Sequence, residues 1–110
     1  MRVAVRASAF FLFVIFGFLV LSATARAQND GAALFKAKCA PCHGADGKGQ
    51  TPMGKAVKAR DLGSDDVQKE SDAQLTEIAN NGKGKMPGYK GKLTDDQIKE
   101  MVKYVRSLKK

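Results

Sequence analysis

Apolar residues are spread along this chain in two ways. From Ala9 to Leu21 they run unbroken except for Gly17. After residue 28 they recur at helical spacing instead: Phe35, Cys39 and Cys42 at i, i+4 and i+7, Leu75, Ile78 and Ala79 at i, i+3 and i+4, then Ile98, Met101, Val102, Val105 and Leu108 along one stripe with Tyr104 at its edge. The pattern predicts a short helix from about Asp30 to Cys42, its start capped by Asn29 or Asp30. A second, from about Asp72 to Asn80, follows the capping box Ser71-Asp72-Ala73-Gln74 and stops at Gly82. A third runs from the capping box Thr94-Asp95-Asp96-Gln97 to about Ser107. Gly31, one turn before Phe35, would let another helix cross at close range, although these two residues alone read more simply as a helix-start glycine and a core Phe. Residues 44–70 are broken by six Gly and Pro positions and are expected to be mostly irregular, a length that in a compact domain implies wrapping or binding. With no β-rich run after residue 28, the fold class is all-α.

The first apolar run changes where the protein begins. Arg2 and Arg6 precede it and Ala25-Arg26-Ala27 follows, the layout of a secretory signal peptide cleaved before Gln28. Thirteen residues at ~1.5 Å each fall short of a ~30 Å hydrocarbon core, so a retained anchor is the weaker reading. The expected organisation is a leader over residues 1–27 and one exported, periplasmic domain over 28–110. Losing the leader removes five of the six Phe and takes the formal charge from +8 to +5. A domain this small, with Phe35, Tyr89 and Tyr104 as its aromatics, needs a disulfide, metal or other staple.

Cys39-Ala40-Pro41-Cys42-His43 supplies a candidate staple. Cys-x-x-Cys-His is a c-type haem attachment string: two thiols about one helical turn apart reach one porphyrin edge, and the following imidazole ligates the iron. The same Cys-x-Pro-Cys also suits a thiol redox site or half of a zinc site. A thioredoxin-like site asks for strand-helix alternation, and zinc usually takes four Cys or His ligands where this chain has two Cys and one His.

The loop after the motif offers further roles. The Pro52 carbonyl is a candidate acceptor for the other imidazole N–H, and Leu62 and Val57 are candidates for haem contact. Gly49 to Lys55 matches seven positions of a phosphate-binding loop, but Ala56 stands where Ser or Thr should hold magnesium and no strand precedes it. Asp46-Gly47-Lys48-Gly49 lacks the spaced oxygens of a calcium loop.

A second axial ligand cannot be histidine from the same chain, because His43 is its only one. Met101 lies on the apolar stripe of the last helix and reads as core. Met53 follows His43 too closely to reach the opposite face easily. Met86, in a loop and followed by the stiffening Pro87, is the favoured candidate, with a lysine or an open sixth position as alternatives.

These residues resemble a class I c-type cytochrome, a small bacterial monohaem protein, over almost all of residues 30–108: Gly31 and Phe35, the Cys39–His43 string, Met86-Pro87 in the distal loop and an aromatic-bearing last helix. The resemblance implies a cytochrome c-like fold wrapped around one haem c, thioether bonds at Cys39 and Cys42, iron ligation by His43 and Met86, and a crossing of the first and last helices at Gly31. It implies a one-electron carrier and not an enzyme. Lys48, Lys55, Lys58, Lys83, Lys85, Lys90 and Lys92 flank the expected haem edge, so the expected partners are oxidases, reductases or dehydrogenases with acidic docking surfaces, met transiently at membrane complexes by a monomer. Nucleic acid is a poor partner for scattered lysines without an arginine cluster or interleaved aromatics. Two other functions remain open at this point: an open-site haem protein binding gas or acting as a peroxidase, and a thiol-disulfide oxidoreductase using Cys39 and Cys42.

Overall fold

The computed structural model describes residues 29–110, so the expected leader and its cleavage site lie outside the described residues. Six helices follow in order: α1 (Gly31–Lys38), α2 (Ala40–His43), α3 (Pro52–Val57), α4 (Asp65–Gln68), α5 (Asp72–Asn81) and α6 (Asp95–Ser107). Among the described residues there is no strand, only two isolated bridges, Lys83 with Met86 and Lys90 with Leu93. The all-α class holds, with α1, α5 and α6 as the main helices.

Capping explains where the main helices begin. Asp30 accepts the Ala32 N–H at 3.0 Å, and both predicted capping boxes close, Ser71 with Gln74 and Thr94 with Gln97. Each box satisfies donors that a helix start otherwise leaves to water. Gly82 ends α5 at φ +76° and ψ 175°, a positive φ that suits glycine but is not the left-handed helical cap such a stop usually makes.

The first helix departs from its predicted length. It ends at Lys38, and Cys39 caps it before the chain re-enters the one-turn helix α2. Pro41 is the reason: without an N–H it cannot continue the α1 ladder, whereas it suits the first turn of a new helix. The segment 44–70 also holds more structure than its glycines suggested, namely α3 and α4.

Helix α1 crosses α6 at Gly31. A Cβ placed there would lie 2.2 Å from the Glu100 carbonyl oxygen, so only glycine permits this approach. Beside the crossing, Phe35 is 1% exposed and its ring centroid sits 5.0 Å from that of Tyr104, in a tilted pair. Ile98, Met101 and Val102 of α6 join Val67, Leu75, Ala79 and Leu93 in the core. Val105 and Leu108, predicted to be buried, are only partly so, and pack against it. Gly31→Ala is expected to destabilise the fold by about 3 kcal/mol, the upper range for overpacking, because the obstacle is backbone and not a movable side chain. A guanidinium denaturation midpoint within error of wild type would contradict the close crossing.

Candidate functional site

Between α1, α5, α6 and the loop 59–62 lies a cleft lined by Phe35, Cys39, His43, Arg60, Leu62, Val67, Leu75, Ile78, Ala79, Met86, Met101, Val102 and Val105. Its cavity volume is about 80 Å³, and it opens to solvent. Apart from the sulfurs, the imidazole and Arg60, every side chain named is hydrocarbon or aromatic. The structure therefore brings Met86, from a distant part of the sequence, into one apolar cleft with Cys39 and His43. Cys42 is half-buried on the same one-turn helix as His43.

The helix break sets the geometry of the first half of the site. Cys39 donates its N–H to Phe35, while the N–H groups of Cys42 and His43 turn back to the Cys39 carbonyl at 3.2 and 2.9 Å. Thr51 shares its hydroxyl proton between the Pro41 and Cys42 carbonyls, both at 2.9 Å, and accepts the Gly54 N–H at 2.9 Å. A Cβ at Gly54 would lie 2.2 Å from the Cys42 carbonyl oxygen, and one at Gly49 2.4 Å from that of Ala59. The glycines that resembled a phosphate-binding loop are thus required for close backbone packing. Asp46 is likewise occupied, accepting the Lys48 N–H at 3.0 Å in a side-chain turn.

The carbonyl that meets His43 belongs to Arg60, which corrects the expectation for Pro52. His43 Nδ1 lies 3.1 Å from the Arg60 oxygen. Pro52 instead opens α3 behind its cap Thr51, so its carbonyl is directed along that helix. Lys58 then reverses the chain at φ 56°, and the returning strand of loop is held by Ala59 N–H to Gly54 and Leu62 N–H to Gly47. A carbonyl only accepts, so this contact places the proton on Nδ1 and leaves Nε2 with a lone pair, the form in which imidazole ligates a metal. Burial also favours the neutral ring, lowering the His43 pKa; the Arg60 hydrogen bond opposes this in part, and the Arg60 charge adds to it. Arg60 is itself tied to Glu70 at 3.0 Å. Sequence reasoning missed Arg60 because any residue type supplies a carbonyl.

Cys39 is a poor candidate for redox attack. Burial, then the neighbouring Cys42, push its thiol up to about 11, whereas reactive cysteines have lowered values. Its sulfur faces an apolar wall instead, 3.2 Å from the Met101 sulfur.

Met86 reaches the cleft on a loop folded back against α5. Lys83 and Met86 exchange N–H···O bonds of 3.2 and 3.0 Å in a tight turn, and the Tyr89 and Lys90 N–H groups take the free carbonyls of Ala79 and Asn80 at the α5 terminus, at 2.9 and 3.0 Å. A Cβ at Gly82 would stand 2.3 Å from the Met86 oxygen and one at Gly88 2.5 Å from that of Asn80, so both glycines are needed for the loop to lie this close. The other methionines divide as expected: Met53 is 55% exposed, and Met101 is core and also lines the cleft. Leu62 lines it too; Val57 is not among the cleft residues.

Residues 26–105 match the family described as cytochrome C oxidase, cbb3-type, subunit III. The chain is 42% identical to cytochrome c6 of Leptolyngbya boryana over 78 residues, which cover 68% of this chain and 85% of that one. The chain belongs to the class I monohaem cytochromes c. The cytochrome superimposes on the solved KustC0563 c-type cytochrome with a TM-score of 0.69 at 37% identity, covering 74% of this chain and 99% of the other. It is also 37% identical to the cbb3-type cytochrome c oxidase subunit FixP of Rhizobium etli, although the match spans only 26% of that longer protein. As a member of this family with two cysteines in all, the cytochrome carries one covalent haem c; it is an electron carrier and not an enzyme. The donor set fits such a group: the Cys39 thiol, the His43 imidazole and the Met86 and Met101 thioethers line the cleft among hydrocarbon walls, and the Cys42 thiol sits on the same one-turn helix as His43. Among the described residues no helix is long and apolar enough to cross a membrane.

Proposed function

We propose that Cys39 and Cys42 hold the haem through thioether bonds, that His43 Nε2 and the Met86 sulfur are the iron's axial ligands, and that the cytochrome passes single electrons between redox proteins in the periplasm. The observation that carries this reading is the presence of Cys39, His43 and Met86 in one apolar cleft. When bound, haem supplies a reversible iron(III)/iron(II) couple, and a thioether ligand raises its potential. The chain's own residues do the rest. Arg60 orients the imidazole, the loop from Gly82 to Lys90 presents Met86, and the hydrocarbon walls exclude water. With His43 and Met86 both holding the iron, no coordination site would be left for substrate, which favours a carrier over a peroxidase or gas binder.

The partner surface follows from charge. Lys83, Lys85, Lys90 and Lys92 are all exposed and flank Met86 in the distal loop, and Lys48, Lys55 and Lys58 are exposed in the segment that follows the Cys39–His43 string. A partner with a carboxylate-rich face would dock there transiently. The leader over residues 1–27 would direct export, and residues 28–110 would work as a monomeric domain.

The experiment is voltammetry of the holoprotein on carboxylate-terminated and ammonium-terminated electrodes across ionic strength. A reversible one-electron wave is expected on the carboxylate surface at low salt. It should fade near 0.3 M, where the screening length drops to roughly 5 Å, and be weak on the ammonium surface throughout. Equal responses on both surfaces, flat with salt, would remove the lysine docking face from the account.

A further inference from the structure

The distal loop is fastened on two sides. Its backbone bonds described above run within the loop or to the end of α5. A separate bond crosses the molecule: the Tyr89 hydroxyl donates to the Lys38 carbonyl at 3.0 Å, joining positions 51 residues apart. Tyr89 itself is well seated, since its N–H bonds to Ala79 and its carbonyl accepts the N–H groups of Lys92 and Leu93 at 2.9 and 3.0 Å.

The acceptor is a product of the helix break. Lys38 is the last residue of α1, and the N–H that would have met its carbonyl in a continuing helix is that of Cys42, which turns to Cys39 instead. Pro41 breaks the ladder one position earlier, having no N–H for the Ala37 carbonyl, and the Cys42 N–H then turns to Cys39 in the new helix. The carbonyl freed by the attachment string is therefore taken by the loop that carries Met86, at the residue directly before Cys39. We propose that the Tyr89 hydroxyl is a positioning group for Met86: it pins the distal loop to the end of α1 and so keeps the thioether seated in the cleft against competing ligands. The proposal rests on the reading of Met86 as the sixth ligand.

Loss of this bond frees the loop on its α1 side while the α5 side stays fastened. An exogenous ligand must displace Met86 and move the loop, so the bond's contribution enters directly into that ligand's apparent affinity. Tyr89→Phe keeps the ring and removes only the oxygen. Ferric holoprotein is titrated with imidazole in three forms, wild type, Tyr89→Phe and Met86→Ala, following the far-red sulfur-to-iron band. Tyr89→Phe is expected to retain the band without imidazole and to bind imidazole about fivefold more tightly than wild type, the weight of one neutral hydrogen bond. Met86→Ala is expected to lack the band from the start. If Met86→Ala loses the band while Tyr89→Phe binds imidazole as wild type does, the positioning role is overturned and the ligand reading stands, even if the variant unfolds at lower denaturant. If Met86→Ala keeps the band, the ligand reading fails and takes this proposal with it.

Discussion

Replacing Cys39 and Cys42 together by alanine is expected to leave a protein from which all haem is extracted by acidified solvent, and which unfolds far more easily than the parent. The two thiols are the only ones in the chain, so nothing else can form the thioether bonds. The stability loss follows from the shape of the core. The cleft is walled by Phe35, Val67, Leu75, Ile78, Ala79 and Val102, side chains that would close on a haem held there and would otherwise face one another or water. A covalent staple in a domain of this size is worth ~2–5 kcal/mol, and each kcal/mol moves the midpoint by roughly 4–8 °C. Thermal unfolding by circular dichroism, paired with acid extraction, checks both parts. A variant with parental stability would mean that the protein core, and not the haem, supports the fold.

Met86→Ala is expected to have the second largest effect, on the haem's electronics and access and not on its attachment. Removing the thioether should lower the reduction potential by ~100 mV or more, since axial-ligand identity tunes haem over ≈ 0.8 V. The ferrous form should then take up carbon monoxide readily. Attachment should survive, because Cys39, Cys42 and His43 lie in another part of the chain, held by Thr51, Gly54 and Arg60. A potential within a few millivolts of wild type, or carbon monoxide uptake equally slow, would assign the sixth position elsewhere.

How much of this was legible in the sequence depends on whether the information was carried by side-chain type. The capping boxes at Ser71 and Thr94 fixed two helix starts because their chemistry is local. The close crossing at Gly31 was legible only through the family resemblance, since by itself the glycine reads as a plain helix start and the helix it meets lies 69 residues away. The break of α1 before Cys39 was less so, since the apolar period runs through it and only Pro41 argues for a stop. The inner helices α3 and α4 were hidden by their length, too short to build up a period. Hydrogen bonds to carbonyls left no mark at all: Arg60, and not the expected Pro52, meets His43, and Lys38 meets Tyr89, through groups every residue has. Met86 stood between these cases. Exclusion of histidine and the positions of the other methionines pointed to it, while the close packing by Gly82 and Gly88 that brings its loop onto α5 emerged only in three dimensions.

The measurement that tests the central claim most directly is the visible and far-red spectrum of the intact holoprotein, oxidised and reduced, with acid extraction alongside. The account predicts a sharp α band on reduction, haem that stays with the protein, and a weak far-red sulfur-to-iron band in the oxidised form. A colourless product from a host shown to attach haem c would contradict the haem assignment of Cys39, Cys42 and His43. Covalent haem without the sulfur band would keep that assignment and contradict Met86.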